Sequence, residues 1–445
     1  MKKYILIILC CLTSFPLWSY NVNMIVEHYS VDQGLPNNTV NCTLKDRDGF
    51  IWFGTWYGLC CFDGVKFKTF NKQEHDSDVP PRKIQRIVED KNGYIWVKTI
   101  DRKLYVFNKV TECFHAVYDD MKNYSENIQV IKLQNTAEGD VLLLTKDKNL
   151  LLAGVDEKGQ VTIKILFDSR NEINKHDYTL KHHVLCETEE YISWIGTDYK
   201  VAAVHKGSEL ASRPADFITS KINSGDKDSF TSFFEDGRKV WVGDRAGIFY
   251  SIDVRTGLVN RYVLSEIKGA ISNLLVTPAG YVYLSVAGQG TYEYDLAERR
   301  LQKINTEMND AMVTHAFIDQ YDKIWFHENE KALIYYDPLN HTAKRFPFTM
   351  FGKITTLYSE DAGERGLFFL SPAGEAWLFD REHAEMVYIN KLKQLSNDRT
   401  NQQFYHLMLD NDGVLWLSSA DEGVYCMNFP KKQFNLLSLS PQSAG

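Results

Sequence analysis

The sequence has no C-x-x-C pair, no block of like charge, no helical periodicity over long windows and, past its first dozen residues, no apolar run approaching eighteen. The missing C-x-x-C excludes the usual zinc and dithiol signatures. Charge that is spread out, for a net of −8, argues against a nucleic-acid face and against a polybasic membrane patch. Without a long apolar run there is no spanning helix in the body of the chain. The one early run, Tyr4 to Leu12, follows Lys2 and Lys3 and precedes Pro16 and Ser19, which is the layout of a secretory signal; an uncleaved anchor is the alternative. Residues 1–20 are therefore set aside from the fold.

Of the eight cysteines, Cys10 and Cys11 fall in that segment, leaving Cys42, Cys60, Cys61, Cys113, Cys186 and Cys426 at irregular spacing. Cys60 and Cys61 are neighbours on an expected strand, so they point to opposite faces and cannot easily share a metal. They read as small buried apolar residues, with a disulfide left open by the oxidising compartment.

What the chain does have is a repeat. "DRDGFIWFGTWYGLCCFDG" at Asp46 recurs as "DKNGYIWVKTIDRKLYVF" at Asp90, "SWIGTDYKVAAV" at Ser193 and "EDGRKVWVGDRAGIFYSID" at Glu235. It returns as "TPAGYVYLSVAGQGTYEYD" at Thr277, "DQYDKIWFHENEKALIYYD" at Asp319, "SPAGEAWLFD" at Ser371 and "DNDGVLWLSSADEGVYCM" at Asp410, with a weaker copy from Ala137. The aligned aromatic or its stand-in is Trp52, Trp96, Leu142, Trp194, Trp241, Tyr283, Trp325, Phe368 and Trp416, a step of about 45 residues, the length of a four-stranded propeller blade.

Each copy has an alternating strand, a D-x-x-G turn, an aromatic strand, a short turn and two further strands. The expected fold is all-β, a β-propeller of four-stranded blades. Because rings generally close with four to eight blades, nine copies are read as a seven-bladed propeller over 21–348 and the first two blades of a second, truncated one over 349–445. "MIVEHYS", Met24–Ser30, has the pattern of an outer strand without its own blade and could complete the last blade of a ring. The end, "KKQFNLLSLSPQSAG", reads as an outer strand followed by the start of a linker, as though cut.

The stretch from Ser30 to Phe67 resembles the first repeat of the two-component-regulator propellers found in the periplasmic region of hybrid two-component sensors. The likeness is carried by Gly34-Leu35-Pro36, Asn38, Val40, Asp46, Gly49, Ile51-Trp52, Gly54-Thr55, Gly58-Leu59, Asp63-Gly64 and Phe67. It implies a periplasmic sensor of polysaccharide-derived oligosaccharides, homodimeric and inner-membrane anchored at full length, that signals to a histidine kinase. No phospho-acceptor His box, ATP-site glycine motif or helix-turn-helix is visible, so the kinase would lie outside this chain, which itself is expected to have no catalytic residue, cofactor or metal.

Local motifs are compatible with that reading. Asp46-x-x-Gly49 and Asp410-x-Asp412-Gly413 lack the remaining carboxylates of a calcium loop and read as hairpin turns. His182-His183 are adjacent, not four apart, and Gly288-Gln289-Gly290 lacks the rest of a phosphate-binding pattern. In a propeller the second-to-third-strand turns and the inter-blade connections gather on one face, where loops carry function. That face nominates Trp56, Tyr57, Arg102, Tyr199, Asp244, Arg245, Gln289, Glu328, Asn329, Asp421 and Glu422 as oligosaccharide contacts, Trp56 foremost because an indole on a turn has no packing duty. The competing readings are a propeller glycoside hydrolase or lyase, which needs converging carboxylates, and a protein-binding scaffold, which needs an exposed apolar face.

Overall fold

The computed structural model describes residues 25–70, 81–122, 129–169, 180–188, 190–196, 201–206, 230–304, 313–328, 331–351, 358–361, 366–371, 374–391 and 404–428. They form nine antiparallel sheets in chain order, eight of four strands and one of three. Blade 1 comprises Val40–Lys45, Ile51–Thr55, Gly58–Phe62 and Phe67–Phe70; blade 2 comprises Ile84–Glu89, Ile95–Thr99, Leu104–Asn108 and Cys113–Ala116. The rest follow the same plan. All nine aligned aromatic or stand-in positions lie in the second strand of their blades, and every one is buried.

Burial alone does not orient an indole; the turn does. In blade 1 the Asp46 carboxylate accepts the backbone N–H groups of Asp48 (3.0 Å) and Phe50 (2.9 Å) through one oxygen and the Trp52 indole N–H (2.8 Å) through the other. Asp90 does the same for Asn92, Tyr94 and Trp96. The indole bond recurs in Asp236–Trp241 (2.7 Å), Asp319–Trp325 (3.3 Å) and Asp410–Trp416 (3.3 Å). An aspartate in a tight turn thus caps the hairpin and fixes the ring that wedges into the next blade.

Blade packing is continuous. Consecutive sheets share apolar clusters at every junction, for example Trp52, Ile84 and Phe107 between blades 1 and 2, and Trp325, Phe369 and Phe379 between blades 7 and 8. Ion pairs reinforce three junctions from equivalent places: Lys109, Lys206 and Arg381, each just after a third strand, reach Asp46, Glu138 and Asp319 of the preceding blade.

The ends meet. Ile25–Tyr29 pairs with Val424–Asn428, so the N-terminal segment is the outer strand of blade 9, as its pattern suggested. Tyr29 packs on Phe62, Phe67 and Trp416, joining blade 9 to blade 1. Gly423 permits this approach: it holds φ +86, and a Cβ there would lie 2.2 Å from the Tyr29 carbonyl oxygen. The grouping into a ring ending at 348 and a second propeller from 349 is therefore corrected to one series of nine blades. The physical reason is that the closing strand joins the ninth sheet, while the seventh is covered by the eighth. A second difference concerns Ser371–Asp380, which supplies the second-to-third-strand turn and third strand of blade 8. Ser371 and Gly374 close that turn with the same backbone bonds that Asp90 and Gly93 use in a first hairpin, so the two are alike in sequence.

Cys42, Cys60, Cys61, Cys113 and Cys426 are free thiols. Burial pushes Cys42, Cys60, Cys61 and Cys426 up to about 12, and they act as packing residues.

Asp90→Ala removes the hairpin cap and strands a buried indole N–H, and should lower stability by about 2–4 kcal/mol. Asp156→Ala, which loses only the backbone bonds to Lys158 and Gln160, should cost about 1 kcal/mol. Denaturant unfolding followed by circular dichroism distinguishes the two; equal losses would mean that the indole bond contributes nothing.

Candidate ligand groove

On the face carrying the second-to-third-strand turns, a chain of backbone hydrogen bonds ties each turn to the next inter-blade connection. Trp56 N–H donates to Thr39, Lys83 to Trp56 (3.0 Å), Ile100 to Lys83 (2.9 Å), Val130 to Arg102 (2.9 Å) and Lys146 to Gln129 (2.8 Å). Two links in this chain, Lys83 at φ 51 and Arg102 at φ 68, are left-handed although neither is glycine, a conformation maintained by these bonds on both sides.

Two adjoining cavities open here. One, of about 360 Å³, is lined by Arg82, Lys83, Thr99, Ile100, Asp101, Lys103 and Tyr105. The other, of about 370 Å³, shares Asp101, Lys103 and Tyr105 and continues past Arg102 to Tyr118, Met121 and Gln129. At the near end the Lys83 ammonium sits 5.3 Å from the centre of the Trp56 ring, which is 44% exposed. Tyr57 and Tyr118 are more exposed still. Aromatic faces beside cationic donors suit the C–H faces and hydroxyls of a sugar.

Of the eleven nominated positions Arg102 alone, among the described residues, lines these two cavities, and four others are engaged elsewhere. Gln289 is spent on backbone, accepting from Lys268 N–H (2.7 Å) and donating to the Glu266 carbonyl (3.0 Å). Glu328 is buried and bridged to Arg345 at 2.9 Å. Asp244 is buried, caps its own turn through Ala246 and Ile248, and burial raises its pKa. Glu422 lends its carbonyl to His28 at the blade 9 closure. Arg245 and Asp421 are exposed on blades 5 and 9, away from the groove. Tyr199 and Asn329 lie outside the described residues. Arg102 lines one cavity, Trp56 lies beside Lys83 of the other, and Tyr57 is exposed next to Trp56 on the same turn. Sequence reasoning missed Arg82, Lys83 and Tyr118, which lie in connections and not in turns; the signal was the cationic "PPRK" immediately before the inner strand of blade 2.

The opposite face carries a carboxylate group, Asp46, Asp48 and Glu89, whose ligand atoms lie within 4.8 Å of one another. The Lys109 ammonium occupies it, at 3.0, 2.6 and 2.8 Å. Burial works against that charge, but the three carboxylates outweigh it and hold the pKa of Lys109 above its ordinary value. The group is an inter-blade ion pair.

Residues 34–57 match the family model described as the two component regulator propeller. The match covers this one segment of the chain. It spans the inner hairpin of blade 1 and ends on Trp56 and Tyr57. Among solved structures, the chain is similar to the extracellular domain of the hybrid two component system BT4673 from B. thetaiotaomicron, at 14% identity over 90% of this chain and 65% of that one, TM-score 0.40. It is similar to the corresponding domain of BT3049 at 14% identity over 93% and 61%, TM-score 0.35. The Dos1 propeller aligns at 12% identity over 90% and 93%, TM-score 0.46. The chain spans less than two thirds of the two extracellular domains. No curated protein matches it. No helix among the described residues is long and apolar enough to cross a membrane.

One position of the repeat is put to a different use in blade 2. Where blades 1 and 5 have Gly54 and Gly243, tight against Ile84 and Ile271, blade 2 has Lys98. Its buried ammonium donates to Gln85 Oε1 (2.8 Å) and the Ile131 carbonyl (2.6 Å). Burial first, then the charges of Arg102 and Arg86, push it down to about 8 from an ordinary 10.5. Between those values the unfolded chain holds a proton that the folded one has released, so stability rises with pH. Relative to Lys98→Met, the wild type should gain up to about 2 kcal/mol from pH 8 to 10.5 and show a flat difference below pH 8. Parallel denaturation curves across that range check this; a constant difference throughout would contradict it.

Proposed function

We propose that this chain is the ligand-sensing part of an exported hybrid two-component sensor, that it binds polysaccharide-derived oligosaccharide in the groove of blades 1 and 2, and that it signals to a histidine kinase outside the chain. The observation that carries the reading is the coincidence of the regulator-propeller repeat with the groove: residues 34–57 end on the turn that presents Trp56 and Tyr57. The N-terminal signal pattern supports export to the periplasm, and dimerisation of the full-length protein is the expected route of transmission.

The groove favours binding over catalysis. Glycoside hydrolysis needs a pair of carboxyl groups, one kept protonated. Asp101 is the one carboxylate lining these cavities among the described residues. Burial alone would raise its pKa, but Thr99 and Lys103 hold it below the ordinary carboxylate range, the opposite of what a general acid requires.

Isothermal titration of the mature chain against a panel of oligosaccharides should find at least one that binds without being cleaved. Trp56→Ala should weaken that ligand about 10-fold or more through loss of ring stacking. Turnover of a glycan, abolished by substituting a single loop carboxylate, would overturn the proposal in favour of an enzyme.

A further inference from the structure

The charge lining the groove is opposite in sign to that of the chain. Against a net −8 overall, the two cavities present Arg82, Lys83, Arg102 and Lys103 with, among the described residues, Asp101 alone opposing them. Asp101 is already taken: it accepts the Thr99 hydroxyl and pairs with Lys103 at 3.3 Å. Asp120, two residues from the cavity-lining Tyr118, is engaged by His115 at 2.7 Å. Arg82, Lys83 and Arg102 make no ion pair among the described residues, and Lys83 rests instead on the Trp56 ring.

Resting on the sensor reading above, we infer that the groove selects an anionic oligosaccharide, one bearing uronate carboxylates or sulfate esters, with Arg82, Lys83 and Arg102 as counter-charges and Trp56 as the stacking surface. Two features support this beyond the tally of signs. The backbones of Lys83 and Arg102 are pinned on both sides by hydrogen bonds, so part of the cost of ordering these donors is met before ligand arrives. The guanidinium fork of arginine matches carboxylate and sulfate geometry with two parallel bonds, which a neutral sugar hydroxyl cannot use.

The test uses the mature chain in isothermal titration with tetragalacturonate, its methyl ester, a sulfated galacto-oligosaccharide and its desulfated parent. The inference expects one anionic member to bind at least about 10-fold more tightly than its neutral counterpart, with affinity falling several-fold as salt rises from low to physiological strength. The arm that binds identifies carboxylate or sulfate as the anion. The double variant Lys83→Gln/Arg102→Gln should remove that preference without lowering the melting temperature; Trp56→Ala should weaken the anionic ligand without altering its salt dependence. Equal, salt-independent binding of charged and neutral members would overturn the anion selectivity and leave the sensor reading standing. If no member of either charge bound, both would fall.

Discussion

The structure depends on one carboxylate performing two tasks. In blades 1, 2, 5, 7 and 9 the aspartate of the first hairpin turn caps backbone N–H groups and holds the indole N–H of the tryptophan that wedges into the adjoining sheet. An indole is large enough to fill the wedge between diverging sheets, but its one polar atom would be costly if buried without a partner. The chain's own departures limit the coupling to these five blades. In blades 3, 4 and 6 the aspartate position is Thr136, Thr188 or Thr277, whose hydroxyl still caps the turn; blades 3 and 6 replace the tryptophan with Leu142 and Tyr283, while blade 4 keeps a buried Trp194. Tyr283 in turn gives its hydroxyl to Glu293, which also receives Tyr336 of blade 7, so a different carboxylate serves that junction.

Because turn and ring are six residues apart at most, this constraint is local and could be read from the sequence. That is why the nine copies, the strand order and the buried state of each aligned aromatic were legible. Closure was not, because it depends on a pairing between Ile25–Tyr29 and Val424–Asn428 that no local pattern encodes. Any of several sheets could accept an outer strand with alternating burial; steric room at Gly423 and the packing of Tyr29 select the ninth. Blade 8 misled for a related reason, since a Ser-x-x-Gly hairpin makes the same backbone bonds whichever pair of strands it joins.

The candidate site was legible to the extent that solvent exposure follows from topology. Trp56, Tyr57 and Arg102 sit where turn residues of this face must sit. Glu328 and Gln289 occupy similar positions but were withdrawn by partners that only the folded chain reveals, Arg345 and the Glu266–Lys268 backbone. Arg82 and Lys83 were overlooked because connections vary in length and carry no repeat signal. The hydrogen-bonded relay from Thr39 through Trp56 and Lys83 to Ile100 turns those irregular segments into a defined wall. Scaffold and groove are thus linked: the hairpins that wedge the blades also set the positions from which the rim residues project.

The most direct test of this account is hydrogen exchange at the indole N–H groups, measured by NMR on tryptophan-labelled protein. If the turn carboxylate holds the wedge, Trp52, Trp96, Trp241, Trp325 and Trp416 should share protection close to that of their strand amides. Fast exchange at these indoles beside protected backbone amides would show that the rings are buried but not held, and the proposed coupling of turn to wedge would be wrong.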